Sequence, residues 1–368
     1  MTSFNEVCID VTKTAKKIPQ SDYLVCGKYK IFDQGKDYIG GYTNDNTGIV
    51  EDYPYIVFGD HTRIIKFVDE PCFIGADGVK LLKVYNPQFL PKYVYYSLIA
   101  NPIVSSGYSR HFKYLKEQSI RGCSIDEQKR IITELETNEK AISIKKESLS
   151  SLDELVKSRF IEMFGDIVRN DKSWTTEIIT KVCPIKQYDG KITECDGKIW
   201  LLNLDLVESN TGVILDKYYV AKTEIGNSTI TFSEDNVLYS KLRPYLNKVV
   251  VPDGNGYATS ELIPFFPLSQ VNKYYLAYAL RSESFVTLIN SKAGGAKMPR
   301  APMDFIRSFS LPIPPIELQN EFAEFVKLID KSKFVCHSKN FLCDIFTFSS
   351  STIAYPSVVS IFVCPKRC

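Results

Sequence analysis

The residues able to carry chemistry in this chain are few and dispersed. Only three histidines occur, His61, His111 and His337, and none forms the paired HExxH helix of a zinc protease. His61, in Gly59-Asp60-His61-Thr62-Arg63, is the best isolated candidate for acid–base work. A lone histidine beside one aspartate nevertheless reads first as a structural hydrogen-bonding residue. No GxxxxGKS/T phosphate loop is present: Gly190 to Lys198 has the wrong spacing and is followed by Ile199. A GxGxxG turn opening a helix, a GxSxG elbow and the Asn/Asp-Pro-Pro-aromatic tetrad of amino-methyltransferases are also missing. Cys8, Cys26, Cys72, Cys123, Cys183 and Cys195 are scattered singly, with no CxxC pair and no histidine at ligand spacing. Neither a metal nor a cofactor is therefore expected. What remains is hydrogen-bonding and cationic chemistry, concentrated in two stretches of small residues that end in basic ones. These are Ser105-Ser-Gly-Tyr-Ser-Arg-His111 and Ala293-Gly-Gly-Ala-Lys-Met-Pro-Arg300.

Those stretches occupy corresponding places in a duplicated chain. Ser119-Ile-Arg-Gly-Cys-Ser-Ile-Asp-Glu-Gln128 reappears as Ser310-Leu-Pro-Ile-Pro-Pro-Ile-Glu-Leu-Gln319, with Ile125 matching Ile316 and Gln128 matching Gln319. Upstream, Lys92-Tyr-Val-Tyr-Tyr-Ser-Leu-Ile99 echoes Lys273-Tyr-Tyr-Leu-Ala-Tyr-Ala-Leu280. One long-period repeat means two similar domains rather than a solenoid.

Each half runs into a helix. From Ile125 to Gly165 there is no proline and no earlier glycine, and Leu135, Ile142, Leu149, Val156 and Met163 recur at seven. A heptad row flanked by charge marks a helix packed lengthwise on another. Roughly 40 residues at about 1.5 Å each make a rod of ~60 Å. Asp126 and Glu127 suit a helix start and Gly165 a stop. The second helix follows Pro314-Pro315, with Phe322, Phe325 and Ile329 on one face, and its pattern ends near Phe334. The remainder, rich in cysteine (Cys336, Cys343, Cys364, Cys368) and in β-branched residues, reads as an out-of-frame ending. Runs such as Tyr55–Phe58, Lys80–Val84, Asn236–Tyr239 and Lys248–Val251 read as strands, while Leu90–Asn101 and Tyr274–Asn290 read as short helices. The expected class is α+β: two similar mixed domains, 1–124 and 166–315, separated by spacer helices 125–165 and 316–334, with an irregular tail at 335–368.

At 368 residues, 44% hydrophobic and 24% charged, the chain is a globular protein of several domains. Its net charge of +2, from 45 basic against 43 acidic residues, gives no bulk attraction to nucleic acid, so DNA binding needs local patches or partners. The polar opening, Met1 to Asp10, is not a secretory signal, and Asp344, the serine run Ser349–Ser351 and Pro356 interrupt the apolar tail. A cytoplasmic protein with reduced thiols and no membrane span is expected.

In combination these features resemble the specificity subunits of type I restriction–modification systems. Three stretches carry the resemblance: the Ser310–Gln319 junction, the spacer end Leu152-Asp-Glu-Leu-Val-Lys-Ser-Arg-Phe-Ile-Glu-Met-Phe-Gly-Asp166, and Phe58–Arg63 with Gly75-Ala-Asp-Gly-Val-Lys80. It spans residues 1–334. The first junction, Arg121-Gly-Cys-Ser124, lacks the prolines of the second, and the second helix is shorter than the family's. The resemblance implies a non-catalytic protein whose two target-recognition domains each read half of a split double-stranded DNA target. Its spacer helices would form an antiparallel coiled coil, and its partners would be methyltransferase subunits and a nuclease/translocase subunit.

Base readers are then expected among loop residues whose donors and acceptors match groove edges. The candidates are Gln34, Lys36, Tyr42, Asn44, Thr62, Arg63, Lys80, Arg110 and His111 in the first domain. In the second they are Lys241, Arg243, Tyr245, Ser260, Lys297 and Arg300. Gly107, Gly294 and Gly295 would let backbone amides approach phosphate. The heptad row with Phe322, Phe325 and Ile329 would form the spacer seam. Two other readings stand beside this one. A coiled-coil adaptor with two protein-binding ends fits the near-neutral charge, and an unrecognised nuclease or transferase is disfavoured by the missing motifs.

Overall fold

The computed structural model describes residues 1–338 apart from Ser105, Ser106, Tyr108 and Ala296. Most of the expected tail, with Cys343, Cys364 and Cys368, lies outside the described residues. Two compact units divide the described residues, one running from Met1 to Ile144 and the other beginning at Lys145 and including all of the described residues after it. Both combine sheets with helices.

In the first unit the β-branched and aromatic runs form strands, as their shape on a pleated surface favours. Tyr55–Gly59 (β1), Ile65–Val68 (β2) and Val79–Val84 (β3) join Cys8–Asp10 in one antiparallel sheet, with β1 between β2 and β3. Every residue of β1 is buried, because both faces are covered. Ile56 and Phe58 pack with Tyr93 and Val94 of the helix Pro91–Ala100. Tyr55 and Val57 face the other way, onto Phe32 and Ile74 of a second, mixed four-stranded sheet.

In the second unit, Val237–Ser240 (β4) lies between Val249–Val250 (β5) and Leu262–Phe265 (β6). A larger sheet around Lys198–Leu202 and Gly256–Thr259 packs Trp200, Leu202 and Ala258 against Leu238 and Val250. The stretch Tyr274–Asn290 is two helices, Lys273–Arg281 and Glu283–Lys292, rather than one. Ser282 separates them with extended backbone (ψ 144°) while its hydroxyl donates to the Ala279 carbonyl. A serine that bonds the preceding turn in this way ends a helix that apolar periodicity alone would continue.

The duplication is visible bond for bond. The Gln128 side chain accepts from Leu90 N and donates to the Gln88 and Cys123 carbonyls. Gln319 accepts from Asn272 N and donates to the Gln270 and Pro314 carbonyls. Both glutamines are fully buried, where an amide is tolerated only with its donors and acceptors paired. The Tyr93 hydroxyl donates to the Arg121 carbonyl, and that of Tyr275 to the Pro312 carbonyl. Cys8 and Cys183 each follow a one-turn helix, Phe4–Val7 and Ile179–Val182, and burial pushes both thiols up to about 12.

The long helix Ile125–Phe164 (α1) spans 40 residues. Ser124 starts it, its hydroxyl accepting from Glu127 N and its carbonyl from Gln128 N, with Asp126 and Glu127 in the electropositive first turn. It stops at Gly165, whose φ of 75° is left-handed and whose absent side chain leaves room for Asp171. Ile131 and Leu135 pack into the first unit's core, and Val156, Phe160, Met163 and Phe164 into the second's. Ile142 and Leu149, the middle of the heptad row, are only half-buried.

The second long helix, Ile316–Ser338 (α2), continues past the pattern's end at Phe334. It buries Phe322, Val326 and Ile329 against the last turns of α1, with Phe325 packed at the margin. Arg159 pairs with Glu321 at 3.0 Å and Asp153 with Lys333 at 2.5 Å, so the paired stretches run in opposite directions.

Candidate nucleic-acid interface

The same three segments converge in each unit. In the first, β1 leads into a hairpin turn at Asp60. Asp60 N donates to the Gly78 carbonyl at 2.7 Å, and Asp60 O accepts from His111 N at 2.8 Å. In the second, β4 leads into a turn at Lys241. Lys241 N donates to the Glu261 carbonyl at 3.0 Å, and Lys241 O accepts from Ala301 N at 2.8 Å. A hairpin, the turn before the neighbouring strand and the end of the small-residue stretch are thus stitched together twice. Loops mounted on a buried sheet in this way are where binding groups are usually held.

All six candidates of the second unit lie on these interlocked loops. Arg300 bridges main chain to Leu242 and Gly294, and Arg243 N donates to the Pro299 carbonyl at 2.7 Å. Lys297 is exposed on the turn that the Gly294–Arg300 bridge closes, and Tyr245 is exposed just past Arg243. Ser260 precedes Glu261 on the third loop. Gly295, with φ 101°, occupies backbone space closed to other residue types.

The sequence missed Glu261. Arg300 donates to it from Nη2 (2.9 Å) and Nε (3.3 Å), and this contact holds the Glu261 carboxyl below the usual carboxylate range. No local spacing links positions 261 and 300. Only the strand pairing brings them together.

The first unit gathers fewer of its candidates. Gln34 accepts from His61 N through its side chain and from the Thr62 hydroxyl through its carbonyl. Arg63 donates from Nη1 to the Ile103 carbonyl at 3.1 Å, and exposed Arg110 adjoins His111. Lys80, opposite Phe58 in the sheet, pairs with Asp10 at 3.1 Å and lies 4.9 Å over the Phe112 ring. Tyr42 and Asn44 belong elsewhere: Tyr42 pairs with Leu24, and Asn44 accepts from Lys28 N. Lys36 is exposed two residues beyond Gln34.

His111 departs from expectation. It is 1% exposed, and its ring Nδ1 lies 3.1 Å from the Asp60 carbonyl. Burial makes it a fastener of the loop, not a surface group. The Asp60 carboxylate accepts from Phe112 N at 2.8 Å, capping the short helix Phe112–Lys116. The Gly-Asp-His motif is accordingly built into loop structure. Among the described residues no cluster of three or more potential ligands could hold a metal, and no helix is long and apolar enough to cross a membrane.

Residues 171–339 match the family described as type I restriction modification DNA specificity domain. Over 98% of its length the chain resembles the crystal structure of a type I restriction–modification S subunit from M. genitalium, at 14% identity and TM-score 0.55, with 99% of that chain covered. Two further solved chains match at 12% identity. One, from a study of complex assembly and conformational transition of the type I system, has TM-score 0.48 with 98% of this chain and 95% of that one covered. The other, the HsdS subunit of Thermoanaerobacter tengcongensis, has TM-score 0.34 with 93% and 92% covered. No curated protein matches the chain. Residues 171–339 thus carry a type I restriction modification DNA specificity domain, and the chain as a whole shares the fold of an S subunit.

Proposed function

We propose that each unit reads one half of a split double-stranded DNA target in the major groove. Helices α1 and α2 would set the gap between halves and offer surfaces to methyltransferase subunits and to a nuclease/translocase subunit. The chain contributes recognition, and its partners supply catalysis. The observation carrying this reading is the repeated loop cluster, present once per unit and supplied with Thr62, Arg63 and Arg110 in one copy and Lys241, Arg243, Lys297 and Arg300 in the other. Cationic donors positioned on rigid sheets suit both phosphate and base-edge contacts. Selection from a random duplex pool by the full chain, co-purified with whatever subunits it retains, tests the proposal. Enrichment of two short sequences at fixed spacing supports it. Retention of protein partners with no enriched DNA would instead identify a coiled-coil adaptor.

A further inference from the structure

Among the described residues, seven other than glycine have positive φ: Asn170, Ser173, Asp196, Asn210, Asn247, Arg63 and Arg243. The first five have short polar side chains, and Asn and Asp in particular tolerate the left-handed region well. An arginine gains nothing comparable there. Yet the two arginines lie in corresponding hairpins, three residues past Asp60 and two past Lys241, at φ 64° and 49°. Each also has a buried Nε that meets no hydrogen-bond partner among the described residues. Two unfavourable features, strained backbone and an unmatched donor, thus coincide twice on turns of different length within copies that have otherwise diverged. Strain of this kind persists where the surrounding structure imposes it and a function uses it.

The surroundings do impose it. Arg63 N is fixed on the Gly59 carbonyl at 2.7 Å, and Arg243 N on the Pro299 carbonyl at 2.7 Å. The left-handed residue turns the chain sharply at the mouth of each loop cluster. It thereby mounts a guanidinium on a stiff base instead of a mobile loop. Both residues are half-buried with Nε unmatched, and among the described residues Arg63 is held through Nη1 by the Ile103 carbonyl alone, so release of Arg63 toward DNA exchanges one hydrogen bond for the two that a fork can make.

We infer that Arg63 and Arg243 are the paired specificity determinants of the two units, each delivering a guanidinium fork to two adjacent acceptors on DNA. The inference rests on the two-domain DNA reading above and narrows its fifteen candidates to one residue per half. Adjacent acceptors occur both on a guanine edge (O6 and N7) and on a phosphate, and the two sources predict different losses.

The test uses the full chain and the duplex it selects. Arg63→Gln and Arg243→Gln are measured against that duplex and against versions changed one base pair at a time. The expected result is loss of discrimination at one base pair, roughly 5- to 150-fold, in one half-target for Arg63→Gln and in the other for Arg243→Gln. Arg63→Gly and Arg243→Gly, which relieve the backbone, are expected to lose the same discrimination with melting temperature unchanged or raised. Uniform weakening across all sequences, with a salt slope shallower by about 1, would reassign the arginines to phosphate and overturn the specificity role. Unchanged binding in the glycine variants would leave strain of purely structural origin and overturn it too. A wild-type chain that selects no duplex refutes the parent reading, a result distinct from either.

Discussion

Arg300 carries the clearest electrostatic consequence at the scale of single residues. Its fork is engaged by Glu261, a contact that orients the side chain and, under the proposed function, would compete with DNA. The depressed Glu261 carboxyl contributes stability that is present above the ordinary carboxylate range and lost as pH falls through its lowered value. With Arg300 largely exposed, solvent screening keeps that contribution small. Urea unfolding of the wild type and Glu261→Gln between neutral and acid pH should show a small wild-type advantage that vanishes on acidification. A constant difference would refute the pairing. The double change Lys297→Glu and Arg300→Glu should weaken DNA binding and reduce the slope of log affinity against log salt by about 2, at roughly 0.9 per phosphate contact. Titration at several salt concentrations measures both, and an unaltered slope removes this loop from the footprint.

At the scale of elements, the helix pair in the second unit is held mainly by aromatic packing. Phe322 lies edge-on to Phe160 and Phe164 at 5.4 and 5.5 Å between ring centroids, and to Tyr278 at 5.2 Å. Phe322→Ala should cost about 3–5 kcal/mol by emptying that site, whereas Phe325→Ala at the margin should cost less. Thermal denaturation of both variants checks the order, and equal losses would contradict it. Long elements were legible in the sequence because their signals are local. Seven-residue spacing found α1, and Asp126 with Glu127 marked its start. The sequence did not reveal that Ile142 and Leu149 are only half-covered, since periodicity states which face is apolar but not whether anything covers it. The break at Ser282 was hidden because apolar spacing runs straight through it.

For the molecule as a whole, duplication was the most legible property. Gln128 and Gln319 align by sequence and make matching buried hydrogen bonds. The site was less legible because it forms where hairpin, turn and loop meet through strand register. Hence Glu261 went unseen, His111, named as a candidate reader, is buried, and Tyr42 and Asn44, named as candidates of the same domain, lie apart from the loop cluster. The net charge of +2 had argued mildly against DNA, but a cluster of cations at one loop junction per unit does not need a basic chain.

The account stands on two separate readings joined by a helical spacer, and changing the spacer tests it directly. Seven residues inserted near Leu149 keep the heptad row in phase and add about 10 Å of helix, at 1.5 Å per residue. That length corresponds to roughly 3 base pairs of B-DNA. Repeating the duplex selection with the inserted chain should return the same two half-sequences, separated by a gap about 3 base pairs longer. An unchanged gap, or altered half-sequences, would contradict the account.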